Sequence, residues 1–490
     1  MSFPFFSLLP ELTLLTGLLL LLLIPFFIPR SIEGVQEDQT CGGKIAYIIT
    51  QVSLWLAILF LCLQDVESTR LAMQTLLLRS MLTQMLQVVA LAATSVALFY
   101  AYGYLIHERL LKTETFILLF CTLLGVMTVI GATHFIPVYL GIELMSLPLY
   151  AMVALRKEHL TSAEASLKYF FLGALASSFL LYGFSLIYGA TGSLSMLEIG
   201  RQAISGNATL LKIGLLFVVA GLAFKLSIVP FHMWAPDVYR GAPTFVTAFI
   251  STVSKLAIVI LLLRLMSGPL VSLMTYWQSI LVVLACLSMI LGATVAILQT
   301  NIKRMLAYST IGHMGYLLLG AMTGDLAGYS ASLFYVFVYA ITNLVAFGVL
   351  LSMHVDEKEN DNLDDFRGLY YRSPLRALLM GMAMFSLAGI PPFIGFFGKF
   401  AVIEIAFNNG FFWTSIIAIL TSVIAAFYYL RIVLLMFFTE SAMSATRYFT
   451  RAPWSMSLLT INGLTLIVLG LFPSLILSRL VYAIARVIVI

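Results

Sequence analysis

Apolar stretches of about 20 residues, separated by short polar or Gly/Pro-rich breaks, recur from one end of the chain to the other. That is the length a helix needs to cross the hydrocarbon of a bilayer. The pattern predicts about fourteen spans, near 5–28, 44–64, 81–102, 114–131, 133–155, 164–189, 209–230, 243–266, 276–298, 301–322, 331–353, 376–398, 408–437 and 457–478. Each has room to cross with some tilt. The longest polar link, "HVDEKENDNLDDFRGLYYRSPLR" (354–376), is expected to be a solvent-facing loop and no domain of its own. The expected fold is an all-α polytopic membrane protein, a single integral membrane domain over 1–490.

Composition agrees with the pattern. Hydrophobic residues make up 61% of the 490 and charged residues 10%, with mean hydropathy +1.04; a soluble domain is about 45–50% apolar and about 25% charged. The first run (11–30) lacks the basic leader and small-residue cleavage site of a signal peptide, since nothing before Arg30 is positive, so it reads as a span. The four cysteines, Cys41, Cys62, Cys121 and Cys286, are scattered singly, without metal-ligand spacing, and most read as small hydrophobes. No phosphate-binding glycine motif and no His/Cys/carboxylate cluster is present. Nucleotide, flavin, iron–sulfur cluster and haem are therefore expected on other chains, if they take part.

Charge gives orientation. Of 27 Lys plus Arg, four lie within spans (Lys168, Lys225, Lys255, Lys399), sixteen in loops after odd-numbered spans, and seven after even-numbered spans or in the C-terminal tail. The positive-inside rule puts the ends of odd-numbered spans in the cytoplasm and both termini outside. The pI of 8.9 is then a topology signal and implies no nucleic-acid partner.

A faint repeat runs through the middle. "GIELMSLPL" (141–149) aligns with "IGHMGYLLL" (311–319), "SLKYFF" (166–171) with "SLFYVF" (332–337), "LSIVPF" (226–231) with "LAGIPPF" (387–393), and "STVSKLAIV" (251–259) with "TSVIAAFYY" (421–429). The offsets fall between 161 and 170 residues, which is five spans. Five being odd, the copies, 114–266 and 276–437, are expected upside down relative to one another, a transporter arrangement with broken helices near mid-membrane.

A charge at the centre of a span costs about 2.5–3.5 kcal/mol, so intramembrane ionisable groups are functional candidates. Here they are Glu143, Lys225, Lys255, His313 and Lys399, with Glu164, Lys168 and Glu404 nearer span ends. Glu143 and Lys225 are expected to pair, each favouring the other's charged form against the opposing effect of burial. The alternative is a static buried ion pair, a poor stabiliser. Pro230 in "GLAFKLSIVPFHMW" and Pro391–Pro392 in "SLAGIPPFIGFFGKF" remove helix donors and free carbonyls at depth. Irregular backbone is tolerated there only against protein or a water-filled cavity; the alternative is plain kinking. Lys255 and His313 lie between the two breaks in sequence, and lysine and histidine can both be brought to titrate near neutral pH. A Lys–Lys–His–Lys series bridged by water would pass protons. Lys168 forms an i,i+4 pair with Glu164 at a helix end, where snorkelling competes with function. His134 and His232 look interfacial, and Glu11 and Glu404 are left open.

"YLGIELMSLPLY", "GLAFKLSIVPFHMWAPDVYRGAPT", "SKLAI", "LQTNIKRMLAYSTIGHMGYLLLG" and "SLAGIPPFIGFFGKF" resemble the antiporter-like subunits of respiratory complex I, the proton-pumping NADH:quinone oxidoreductase. The strong motifs run from about residue 80 to 435. The resemblance implies fourteen helices in two inverted five-helix repeats and a hydrophilic mid-membrane axis. It implies a glutamate–lysine pair at Glu143 and Lys225, a connecting lysine at Lys255 and a terminal lysine at Lys399. His313 matches a polar position of the tenth helix. Some related subunits carry glutamate at the last position, where this chain has Lys399. The chain is expected to end after span fourteen, without the long lateral helix of the largest of these subunits.

The expected function is proton translocation coupled to electron transfer in other subunits, with no cofactor in this chain and flavin, iron–sulfur clusters and quinone bound elsewhere in the complex. Expected partners are other membrane subunits, including further antiporter-like ones, and the lipid of a bacterial inner membrane. Two alternatives remain: a subunit of a multisubunit Na⁺/H⁺ antiporter or membrane-bound hydrogenase, and a non-pumping structural subunit.

Overall fold

The computed structural model of the chain describes residues 8–27, 37–64, 70–72, 76–204, 206–353, 361–439 and 453–474. Both termini, residues 354–360 at the start of the 354–376 loop, and the ends of the first and last expected spans lie outside the described residues. Helices dominate. The first seven are α1 (Leu9–Phe27), α2 (Glu37–Leu63), α3 (Met81–His107), α4 (Thr113–Gly131), α5 (Phe135–Val153), α6 (Leu160–Thr191) and the short α7 (Met196–Gln202). Then come α8 (Ala208–Leu226), α9 (Trp234–Gly241), α10 (Thr244–Ser251), α11 (Val253–Ser267), α12 (Met274–Ile297) and α13 (Ile302–Ala321). The last are α14 (Leu326–Ser352), α15 (Leu369–Arg372), α16 (Pro374–Ala388), α17 (Ile394–Asn408), α18 (Phe412–Phe438) and α19 (Pro453–Leu471). One feature departs from the all-α expectation: β1 (Arg70–Ala72) and β2 (Leu77–Arg79) form a small antiparallel hairpin between α2 and α3. Glu11 reaches Arg79 at its end, and Arg79 also donates to Gln87 at 2.7 Å, tying α1, the hairpin and α3 together.

Twelve helical stretches among the described residues are long and apolar enough to cross a membrane, so this is a multi-pass membrane protein. Two expected spans are not among them. The stretch 301–322 is one helix, α13, but Lys303, Arg304 and His313 lower its hydropathy. The stretch 376–398 is two 15-residue helices, α16 and α17, and the second continues to Asn408 through residues expected to form a loop.

Helix starts follow local chemistry. Ser80 and Thr83 form a capping box at α3, and Asn207, Asn301 and Asp325 accept backbone N–H bonds at the starts of α8, α13 and α14. The breaks are equally local. α8 stops at Leu226 because Ser227 is left-handed (φ 62°), and Pro230 lies in the turn that follows. α16 stops at Ala388 with Gly389 left-handed (φ 82°), a conformation that favours glycine, before Pro391–Pro392. A third interruption, at Thr252, splits the expected span 243–266 into α10 and α11.

Small residues let backbones touch. A methyl group added to Gly125 on α4 would come 2.4 Å from the Met145 nitrogen and 2.6 Å from the Gly141 carbonyl on α5. One added to Gly292 on α12 would come 2.5 Å from the Gly312 nitrogen on α13. Such approach replaces the hydrophobic drive that lipid cannot supply. The paired helices α10 and α11 are buried except at the far end of α11, and α14 nearly so, while α1, α6, α18 and α19 carry the exposed apolar faces. The interior is therefore where both interruptions and buried charges collect.

Candidate functional site

The site begins at the first break. Lys225, on the last turn of α8, donates from Nζ to the Ser146 hydroxyl at 2.7 Å and the Tyr150 hydroxyl at 3.3 Å, both on α5. Glu143 lies one turn before Ser146 on the same helix. The expected direct ion pair is not formed: among the described residues Glu143 makes no salt bridge, and its buried Oε1 has no hydrogen-bond partner. The physical reason is position. Ser146 lies one turn further along α5, and its neutral hydroxyl takes the ammonium at 2.7 Å. The two charges stay within electrostatic reach.

Ending α8 frees its last carbonyls, and side chains take them up. Lys255, in the first turn of α11, donates to the Lys225 carbonyl at 2.9 Å and to the Ser227 hydroxyl at 2.7 Å. The Trp234 indole donates to the Phe224 carbonyl at 2.9 Å, and the Lys255 ammonium lies 5.2 Å from the centre of that ring. Pro230 thus marks the place where a second lysine reaches the backbone beneath the first. The interruption at Thr252, invisible in the sequence, starts α11 just before Lys255. His232, expected at an interface, is buried at the break, its side chain turned inward while Pro230 and Met233 of the same turn stay exposed. His134 caps α5, accepting from the Ile136 N–H at 3.3 Å.

The second break repeats the arrangement. Lys399, on α17, donates to the Ala388 carbonyl at the end of α16 (2.9 Å) and to the Ser422 hydroxyl on α18 (3.2 Å). His313, midway along α13, has a tyrosine hydroxyl at each ring nitrogen: Tyr335 at 2.6 Å from Nδ1 and Tyr429 at 3.0 Å from Nε2. A cavity of about 10 Å³, room for one water, is lined by His313, Lys399, Tyr316, Tyr429 and Ser309. A second of the same size lies on the other side of His313, against Tyr339, Thr342, Ser386 and Gly395. Lys399 also floors a larger cavity of about 420 Å³ that opens between α17 and α18, with Glu404 and Asn408 among its lining.

Lys225, Lys255, His313 and Lys399 are 7%, 0%, 6% and 5% exposed. All four are bonded to neutral hydroxyls or carbonyls. A neutral acceptor serves an ammonium and an amine alike, so these groups can exchange protons without breaking a salt bridge. Lys168 and Glu164 stand apart: they pair at 2.7 Å on the exposed side of α6, where Asp237 of α9 also meets Lys168 at 2.7 Å and Arg304 at 3.7 Å.

Several residues were missed. Lys303, counted as a loop charge, is fully buried, with Asp361 at 3.0 Å and the Ala242 carbonyl at 3.3 Å, because the segment from Asp361 folds back over the start of α13. Ser146 and Tyr150 were legible in principle, lying at helical spacing from Glu143. Tyr335 and Tyr339 stand four apart on one face of α14. No group of three or more His, Cys, Asp or Glu suited to a metal ion occurs among the described residues.

The profile of a family described as NADH:quinone oxidoreductase/Mrp antiporter transmembrane proteins matches residues 132–425. The NADH-quinone oxidoreductase subunit N of Laribacter hongkongensis is 41% identical over 95% of this chain and 94% of its own length. That of Thioalkalivibrio sulfidiphilus is 43% identical over 97% of each chain. The chain belongs to the NADH-quinone oxidoreductase subunit N family. Among solved structures, a chain of respiratory complex I from Thermus thermophilus superposes with a TM-score of 0.81 at 32% identity, covering 96% of this chain and 98% of that one. A chain of the Mrp complex from Dietzia has a TM-score of 0.80 at 20% identity, covering 99% of this chain and 98% of that one, a likeness of fold alone. Residues 132–425 contain all five axis candidates, Glu143, Lys225, Lys255, His313 and Lys399.

Proposed function

We propose that this chain is a proton-translocating membrane subunit of an NADH:quinone oxidoreductase, moving protons along Glu143, Lys225, Lys255, His313 and Lys399. The observation that carries the reading is the set of four buried ionisable groups, each held by neutral partners, three of them at the broken ends of helices. Redox energy released in partner subunits changes the distance between Glu143 and Lys225. When Lys225 leaves Ser146 for the carboxylate its proton is held; when it returns, the proton is free to pass toward Lys255. From there it reaches His313 and then Lys399, through the water-sized cavity the last two share.

In this reading the membrane unit has fourteen spans, counting α13 and the α16–α17 pair with the twelve apolar stretches. The repeats 114–266 and 276–437 are inverted copies; the matching glycine contacts of α4 with α5 and of α12 with α13 support this. The chain itself holds no cofactor, while flavin, iron–sulfur clusters and quinone are bound by partner subunits. It lies in a bacterial inner membrane beside other membrane subunits, with both termini on the periplasmic side.

The test is to tag the chain, extract it in mild detergent and assay the co-purifying complex for NADH:quinone reductase activity, then for proton pumping in vesicles. Lys225→Ala and Lys399→Ala are expected to lower the proton-to-electron ratio while the complex still assembles. An unchanged ratio overturns the axis and favours a structural subunit. Transport driven by a sodium gradient with no electron donor favours a cation antiporter.

A further inference from the structure

One gap remains in the axis. Among the described residues no side-chain hydrogen bond joins the Lys255 cluster to the His313 cluster, yet α9 touches both. Trp234, on its first turn, lies beneath the Lys255 ammonium. Tyr239, five residues on, points at the other half of the protein, with its hydroxyl beside the Thr310 hydroxyl and near Tyr339. The Tyr339 hydroxyl donates to Thr310 at 2.7 Å, Thr310 is one turn before His313 on α13, and the Tyr339 and His313 rings are 5.2 Å apart.

Two polar atoms at this seam are unsatisfied. Tyr239 is 0% exposed, and its hydroxyl lies beside Thr310 without completing a hydrogen bond of good geometry; Asn343, 2% exposed, lies beside the Tyr339 hydroxyl on α14, and its Nδ2 likewise completes none. Buried hydroxyls and amides without partners are rare, because each loses its bonds to bulk water and gains nothing in return. A water that accepts from Tyr239 and from Asn343 Nδ2 and donates to the Thr310–Tyr339 pair has the two to four partners a buried water needs.

We infer that Tyr239 and Asn343 hold an ordered water at the seam between the two halves, and that this water is the bridge by which protons pass from the Lys255 side to His313. The inference rests on the proton-axis reading above. A proton arriving at the Tyr239 hydroxyl is relayed as that oxygen accepts one proton and gives up another to the water, which hands one on toward His313. No electron moves, and each group ends in its starting protonation state. Tyr239 is the bridging residue and Asn343 orients the water.

The experiment uses the intact complex in vesicles, with pumping read by a pH-sensitive dye and redox turnover read as NADH oxidation with and without uncoupler. Tyr239→Phe keeps the ring and removes only the oxygen. It is expected to lower the proton-to-electron ratio to the level of Lys225→Ala while uncoupled NADH oxidation stays at the wild-type rate, a rate that a packing defect would reduce. Asn343→Leu is expected to do the same, and Asn343→Ser, which keeps a polar group for the water, to retain most pumping. Loss in Lys225→Ala with a wild-type ratio in Tyr239→Phe overturns the bridge and leaves the axis standing. A wild-type ratio in both overturns the axis and the bridge together. If Tyr239→Phe does not assemble, the two Asn343 variants decide: equal loss in both, or in neither, overturns the bridge.

Discussion

Ser146 is the most informative single position, because it competes with Glu143 for the same ammonium. Its bond to Lys225 is 2.7 Å, whereas the Tyr150 bond, at 3.3 Å, is at the weak end of the range. A hydrogen bond to a charged group contributes about 1.5–3 kcal/mol. Ser146→Ala removes that stabilisation from the separated arrangement with almost no change in volume. Since about 1.4 kcal/mol is tenfold in an equilibrium, the population shifts toward the Glu143–Lys225 pair by roughly 10- to 150-fold. A lysine held by the carboxylate keeps its proton, so pumping per electron is expected to fall while assembly is retained. The assay is the proton-to-electron ratio in vesicles, with Ser146→Thr as the control that keeps the hydroxyl. In a Glu143→Gln background the Ser146→Ala change is expected to have little further effect, since the competitor is gone. A wild-type ratio in Ser146→Ala, or an equal fall in Ser146→Thr, refutes the competition.

Two further outcomes follow from packing and from a buried charge. Gly292→Ala puts a methyl group 2.5 Å from the Gly312 nitrogen, backbone that cannot yield without separating α12 from α13, and is expected to destabilise by about 1–3 kcal/mol; a lower midpoint in thermal unfolding of the purified complex checks it. Asp361→Asn takes the carboxylate from fully buried Lys303 and is expected to cost about 3–5 kcal/mol, seen as loss of assembled complex. Lys303→Met with Asp361→Asn is expected to recover part of that loss, because the buried cation that lost its carboxylate is gone.

The chain's hydrophobic rhythm was enough to fix the membrane class and most span positions, because crossing a bilayer is a local demand on length and polarity. It was also enough to mark Lys225, Lys255, His313 and Lys399, since a charge within an apolar run stands out without any knowledge of its neighbours. Pro230 and Pro391–Pro392 announced two helix breaks for the same local reason. The third break, at Thr252, carried no such signature, since neither proline nor glycine lies at it.

Partnership was decided only in three dimensions. Opposite charge suggested that Lys225 would meet Glu143, but the approach of α8 to α5 brings it to Ser146 and Tyr150. Lys303 reads as a loop cation until the segment from Asp361 folds over it, and Tyr239 reads as one more aromatic residue until α9 carries its hydroxyl to the seam. A sequence states which groups are costly to bury. Which neutral oxygen, carbonyl or water receives each one depends on how helices far apart in the chain come to lie side by side.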